Sequence, residues 1–425
     1  MDWALLALGA VAVLLAADAL HPPRVWLILF PAFLVGLAVC EGAGWALAML
    51  IAAVATLASM GALGSWPGWM GLVLAGMAAA ALVRALMLAR RAPAVFDEAL
   101  GQLDGGPPSV YTRTWRDVVA PLWFADPHVE RIANIRYAEG AGRRHLLDVY
   151  RSRDGTSDAP VLLQIHGGAW MFGSKRTQGR PLMNRLARHG WICVAINYRL
   201  SPRVRYPEHL VDCKRAIAWI RAHAAEYGGD PDRVVVTGGS AGGHLAALVA
   251  LTANEPALQP GFEEVDTSVL ASVPMYGAYS LAELFTFAGT GRRVGAWMGR
   301  LVTGGNLVTE RELFERASPI FAVRRDAPPF LVVHGTADNM VPVEQARHFV
   351  LSLREHCPET IVYVELPGAP HAFDVFHSVR ADAAGVAIER FLIWVLAGSP
   401  GDDERSAVAG TGASGRTTMA RTAPS

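Results

Sequence analysis

Arg233-Val234-Val235-Val236-Thr237-Gly238-Gly239-Ser240-Ala241-Gly242-Gly243-His244-Leu245-Ala246-Ala247-Leu248 is the stretch on which the reading of this chain turns. The first five residues are a β-branched run and read as a buried strand. From Gly243 onward the Ala- and Leu-rich sequence reads as a helix. Between them lies G-x-S-x-G, with Ser240 at its centre. A serine on a sharp strand-to-helix turn needs small neighbours, because side chains there collide. Such a turn lifts the hydroxyl out of the sheet and aims the next backbone N–H, at a helix N-terminus, toward the same point. Ser240 is therefore a candidate nucleophile.

A serine hydroxyl needs a histidine to take its proton and a carboxylate to orient that histidine. Downstream, the apolar run Pro329–Val333 leads through His334-Gly335-Thr336-Ala337 to Asp338, just past a strand end. A second run, Ile361–Leu366, ends in a Pro/Gly loop that carries His371. The chain order Ser, Asp, His, with each group at a strand end, makes Ser240, Asp338 and His371 the expected triad. His334 and His377 are rivals for the base. His334 lies four residues before the acid and reads as a loop-shaping residue, and His377 is expected inside the final helix.

An acyl-transfer site also needs N–H donors where negative charge develops. Val161-Leu162-Leu163-Gln164-Ile165 reads as a buried strand and empties into His166-Gly167-Gly168-Ala169-Trp170. Adjacent glycines let the backbone approach a substrate and turn its amides inward. The expected donors are the N–H groups of Gly167, Gly168 and Ala241. His166 is read as holding the loop in shape, since no other ligand stands at metal spacing.

Taken together, His166-Gly167-Gly168-Ala169-Trp170, Asn197-Tyr198-Arg199-Leu200-Ser201-Pro202, Asp230-Pro231-Asp232-Arg233, Gly239-Ser240-Ala241-Gly242-Gly243, Asp338 and His371 resemble the H-G-G esterase and lipase branch of the α/β-hydrolases, the hormone-sensitive-lipase-like group and its carboxylesterase relatives. The resemblance runs from about Ile132 to Leu396. It implies an α/β-hydrolase fold, a mostly parallel central sheet flanked by helices, and hydrolysis of carboxylic esters through an acyl-enzyme. No metal or organic cofactor is implied. The hormone-sensitive-lipase-like group usually has Asp before its serine, where this chain has Gly239, which moves it toward neighbouring carboxylesterases and arylformamidase-like enzymes. Amide or formamide hydrolysis, or acyl transfer to an alcohol, uses the same machinery. A catalytically silent binding module fits poorly with an intact Ser, Asp and His set.

The first ninety residues are different material. Only Asp2, Asp18, Arg24, Glu41, Arg84, Arg90 and Arg91 are charged, and no charge falls between Gly42 and Val83. A membrane span needs about 20 apolar residues. The uncharged run, broken near Ser65-Trp66-Pro67-Gly68-Trp69, predicts helices over 43–63 and 69–88. Residues 3–20 and 25–40, separated by His21-Pro22-Pro23-Arg24, are two shorter segments. Four spans are expected over 1–91, with three as the alternative. A secretory leader fits poorly, because the start is not basic and the apolar stretch is too long. A buried soluble helical domain rarely goes so far without a charge. Arg84 near the end of the last segment and Arg90 and Arg91 after it, by the positive-inside rule, put the next domain on the cytoplasmic side.

Residues 92–128 contain Gly105-Gly106-Pro107-Pro108 and the aromatics Phe96, Tyr111, Trp115, Trp123 and Phe124, and are expected to form a linker that becomes a cover over the catalytic domain. That domain is expected over 129–396. It opens with an antiparallel pair, Ile132–Ala138 and His145–Arg151. Strands then start near Val161, Trp191, Arg233, Ser268, Pro329 and Thr360, alternating with helices. Residues 277–320, with Phe285, Phe287, Trp297, Met298 and Leu301, are a candidate cap insertion. Residues 397–425 are poor in large apolar groups and expected to be disordered. The formal net charge is zero, against a nucleic-acid partner. Cys40, Cys193, Cys213 and Cys357 are scattered, with neither metal nor disulfide spacing. The expected partners are a small-molecule or lipid ester and the bilayer, and the sequence leaves the oligomeric state open.

Overall fold

A computed structural model describes residues 1–101, 103, 115–286 and 292–398. Eight strands form one sheet: β1 (Val129–Arg136), β2 (Leu146–Ser152), β3 (Ala159–Ile165), β4 (Ile192–Ile196), β5 (Gly229–Gly239), β6 (Ser272–Met275), β7 (Phe330–Gly335) and β8 (Ile361–Leu366). Their order across the sheet is β1-β2-β4-β3-β5-β6-β7-β8. β1 pairs with β2 and β2 with β4 antiparallel, and all other neighbours are parallel. The expected leading hairpin and parallel core are both present. Strand stretches such as Val161–Leu163 and Val234–Val236 are apolar at every position because both faces of the sheet are covered.

Fourteen helices are described: α1 (Asp2–Leu20), α2 (Trp26–Glu41), α3 (Ala43–Ser59), α4 (Trp66–Ala89), α5 (Ala92–Leu100), α6 (Trp115–Val119), α7 (Arg180–Arg188), α8 (Glu208–His223), α9 (Ala241–Leu251), α10 (Leu281–Thr286), α11 (Arg292–Thr303), α12 (Arg311–Arg316), α13 (Val343–His356) and α14 (Val379–Leu396). One face of the sheet buries Val161, Leu163, Ile165, Val234 and Val236 against α8, α9 and α13. The other buries Leu162, Val235, Leu331 and Val333 against α5, α7 and α14. The chain runs β3, out to β4, then back past β3 to β5. This reversal opens a crevice at the carboxyl ends of the strands, where an open α/β sheet binds its ligands.

The N-terminal helices fall close to their expected bounds, but the expectation of four spans does not hold. Two helical runs are long and apolar enough to cross a membrane, Asp2–Leu20 and Trp66–Leu100. Ile28–Glu41 and Ala43–Ser59 meet at a bend of 84° and count as a third only if taken together. With 16 residues, α2 is about 24 Å long, short of the roughly 30 Å hydrocarbon core. α1 lies along α4 in close contact because Gly9 and Gly71 face each other. A Cβ on Gly9 would lie 2.9 Å from Leu74 Cβ, and one on Gly71 2.5 Å from Leu5 O. Small residues at such a crossing let two backbones touch.

The segment expected to cover the catalytic domain does so only in part. α5 continues from α4 and packs Phe96 and Leu100 into the core beside α14 and β8, away from the crevice. Phe124 stacks with His377 and under Arg180, and Trp45 of α3 donates to Val118 O of α6 at 2.8 Å. Gly105–Pro108, Tyr111, Phe287 and residues 399–425 lie outside the described residues. Within 277–320, Phe285 sits 6.5 Å from Trp170 and 6.2 Å from Phe314, so the insertion packs onto the H-G-G loop. The four cysteines are buried and unpaired.

Candidate active site

β5 ends at Gly239 and α9 begins at Ala241, leaving Ser240 alone on the turn at φ 59°, ψ −122°. A non-glycine residue at positive φ costs about 1–3 kcal/mol and persists only where its surroundings dictate it. Here the Ser240 N–H donates to Met275 O at 3.0 Å, which pins the turn to the end of β6.

β7 and β8 deliver the other two groups. Asp338 Oδ2 accepts from His371 Nδ1 at 2.6 Å, and Oδ1 accepts the N–H groups of Met340 and Val341, both at 2.8 Å. Both side chains are buried. His334 Nε2 lies 3.3 Å from Asp338 Oδ2 and 3.0 Å from Val341 O, the loop-shaping place expected of it. Burial alone would raise the Asp338 carboxyl. The neighbouring imidazoles, His371 before His334, outweigh it and hold the group well below the usual carboxylate range. His377, expected inside the last helix, stands before it: Ser378 caps α14 by accepting from Ala381 N, and His377 Nδ1 lies 3.4 Å from Asp382 and 3.8 Å from Asp117. It takes no part with Ser240, Asp338 and His371.

The carboxyl end of β3 brings in the glycine loop. His166 stacks on Tyr198 at 4.4 Å, and Tyr198 Oη donates to His166 O at 2.9 Å. Burial pushes the His166 imidazole down to about 4, so it is neutral at pH 7 and acts on the loop by packing. Trp170 Nε1 donates to His244 Nδ1 at 3.2 Å, and His244 Nε2 donates to Ala317 O at 2.7 Å. One neutral imidazole, also held down to about 4 by burial, thus ties the glycine loop, α9 and the insertion together. The Gly167 N–H is spent on Gln178 Oε1. Of the three expected donors, Gly168 and Ala241 have no hydrogen-bond partner for their N–H among the described residues.

Sequence reasoning missed three residues that bear on this site. Gln178 holds Gly167. Tyr276, the first residue after β6, packs edge-on to His371 at 4.9 Å and donates its hydroxyl to Asp374. Phe33 of α2 packs edge-on to the same imidazole at 5.6 Å. Tyr276 also accounts for Gly239: a Cβ there would lie 2.6 Å from Tyr276 Cζ and closer still to its hydroxyl. The departure from the usual Asp is therefore a matter of space. The only signal for Tyr276 in the sequence was its place directly after a strand, and for Phe33 there was none.

The chain matches the BD-FAE family model over residues 147–353. It is 50% identical over 266 residues to the probable carboxylic ester hydrolase LipM of Mycobacterium tuberculosis, a match covering 62% of this chain and 61% of LipM, less than two thirds of that protein's length. It is 43% identical over 274 residues to the esterase LipC of the same organism, covering 64% of this chain and 68% of LipC. A solved esterase of the planctomycete Thermogutta terrifontis, with butyrate bound, matches with a TM-score of 0.51 at 26% identity, over 64% of this chain and 95% of that one. With its sheet order, its serine turn and these relatives, the chain belongs to the carboxylesterases of the α/β-hydrolase superfamily.

Proposed function

We propose that this chain is a membrane-anchored serine carboxylesterase that cleaves carboxylic esters through an acyl-enzyme. The observation that carries the reading is the buried His371–Asp338 hydrogen bond at 2.6 Å, on loops that leave the same sheet edge as the strained Ser240 turn. His371 Nε2 takes the proton of Ser240 Oγ as that oxygen attacks the ester carbonyl. Asp338 holds the imidazole by Nδ1 and stabilises the imidazolium. The N–H groups of Gly168 and Ala241 receive the developing oxyanion, the latter at the N-terminus of α9. His371 then passes its proton to the departing alkoxide. Water, deprotonated by His371, attacks the acyl-Ser240, and Ser240 leaves with the proton as the carboxylic acid is released.

Anchoring is supported by α1 and the α4–α5 run, whose exposed side chains include Trp3, Leu14, Val73, Met77 and Met87. Arg84, Arg90 and Arg91 favour a cytoplasmic catalytic domain. Replacing Ser240 by Ala tests the chemistry: hydrolysis of a short p-nitrophenyl ester should fall about 10⁶-fold, and labelling by a fluorophosphonate should vanish. Full activity in Ser240→Ala would end the proposal. Resistance to carbonate extraction, with protease access to the catalytic domain only after permeabilisation, is the result expected for the anchor and its orientation.

A further inference from the structure

α2 meets the catalytic loops along its whole length. Just before it starts, Arg24 Nη2 donates to Asp338 O at 3.2 Å and Asn339 Nδ2 donates to Pro23 O at 3.3 Å. Midway, the Phe33 ring stands 5.6 Å from the His371 ring at 72°. At its end, Cys40 Sγ donates to Gly368 O at 3.5 Å, and Glu41 pairs with Arg380 at 2.6 Å. Both members of that pair are 1% exposed. Arg380 also donates to Pro367 O at 3.1 Å. Leu29, Ala32, Leu37 and Cys40 are buried on this helix, while Ile28, Phe30, Leu34 and Val35 stay exposed.

These contacts gather on the loops after β7 and β8, the two that hold Asp338 and His371. A helix serving only as a tether has no reason to choose that place. The buried Glu41–Arg380 pair points the same way: such pairs add little net stability, and their best-attested use is to set register. The hydrogen bond to Asp338 fixes one edge of the imidazole but leaves the ring free to tilt about it. Packing by Tyr276 and Phe33 removes that freedom.

We propose that α2 is a positioning element of the active site, with Phe33 holding the His371 ring in the orientation that serves Ser240 and the Glu41–Arg380 pair setting where Phe33 falls. This rests on the esterase reading above. A misplaced base slows proton transfer and leaves substrate binding nearly unchanged, so the signature is in kcat.

The test uses the full-length chain in detergent, with a short water-soluble p-nitrophenyl ester that needs no membrane to be presented. Phe33→Ala should lower kcat about tenfold with KM changed less than about twofold, in line with the steep cost of misplacing a catalytic group. Phe33→Leu should fall between the two, and Phe33→Tyr should restore most of kcat. If Phe33→Ala does not fold, the Leu and Tyr variants carry the same comparison. Fluorophosphonate titration of Ser240 counts competent sites, so kcat is read per site. A Phe33→Ala or Phe33→Leu enzyme with wild-type kcat per competent site overturns the role of α2. So does a loss that lies wholly in the number of competent sites. A wild-type chain that takes up no fluorophosphonate overturns the esterase reading and this inference with it.

Discussion

Gly239→Ala adds one methyl group at the most crowded point of the site. The new Cβ would lie 2.6 Å from Tyr276 Cζ and nearer to the hydroxyl. The ring has little room to retreat: it is fully buried, with Phe373 at 5.6 Å and His371 at 4.9 Å. Overpacking of this kind costs about 1–3 kcal/mol. If the hydroxyl gives way it leaves Asp374, a buried carboxyl already held above its usual range by burial, without its donor, at about 1–3 kcal/mol more. The sum is a large part of the roughly 5–15 kcal/mol that holds a domain together. Tyr276 also carries the push to His371, and a shift of about 1 Å in a catalytic group costs on the order of 10²-fold in rate. The assays are a thermal scan in detergent and kcat on a short p-nitrophenyl ester. Tyr276→Ala removes the obstacle and is itself damaging through the cavity it leaves. The decisive measurement is therefore the double variant, in which the Gly239→Ala change should add almost nothing to the loss already caused by Tyr276→Ala. Strict additivity, or a Gly239→Ala single variant with wild-type melting temperature and kcat, would refute the steric account of Gly239.

Asp338→Asn keeps the shape but offers His371 Nδ1 an amide, so kcat should fall by about 10⁴ with KM little changed; steady-state rates per fluorophosphonate-competent site check this, and a fall under tenfold would remove Asp338 from the triad. Acid should destabilise the fold through its buried imidazoles: His166, His209 and His244 are each pushed down to about 4 by burial, from 6.5. Their contribution is whole above pH 6.5 and is lost as pH falls toward 4, because only the unfolded chain takes up these protons; each should cost about 2 kcal/mol by pH 5. Asp338, held low, loses its contribution only below about pH 4, so melting temperatures between pH 7 and 5 isolate the histidines, and a flat profile there would contradict their burial.

The parts of the site that follow a strand were legible because each strand end has a local signature. Gly238–Gly242 marks one turn, Gly167-Gly168 another, and Asp338 and His371 sit where apolar runs give way to Pro and Gly. What escaped was set by partners far away in the chain. α2 reads as a short membrane segment because Phe33 and Leu37, which pack onto the core of the catalytic domain, are the same kinds of residue that would touch lipid. Its polar end, Glu41, reads as a span boundary until Arg380 stands against it. The β-branched run puts the start of β5 near Arg233, but Gly229 already pairs with Ala159 across a register shift. The sequence puts the start of β6 near Ser268, yet pairing begins at Ser272 with Val236 and Phe330. His377 reads as helical from its neighbours, while the hydroxyl of Ser378 decides where the helix starts.

Glu41 and Arg380 are separated by 339 residues. At roughly 5–20 residues per second, a ribosome needs about 20–70 s to pass from one to the other. During that interval the helix that will steady the catalytic base is already made and has nothing to steady. Strands β7 and β8, which bear Asp338 and His371, and then α14, which bears Arg380, arrive last and close upon it. Synthesis thus imposes a sequence on the enzyme: it is seated first and armed afterwards, and a chain cut short before α14 is left without the guanidinium that sets its base.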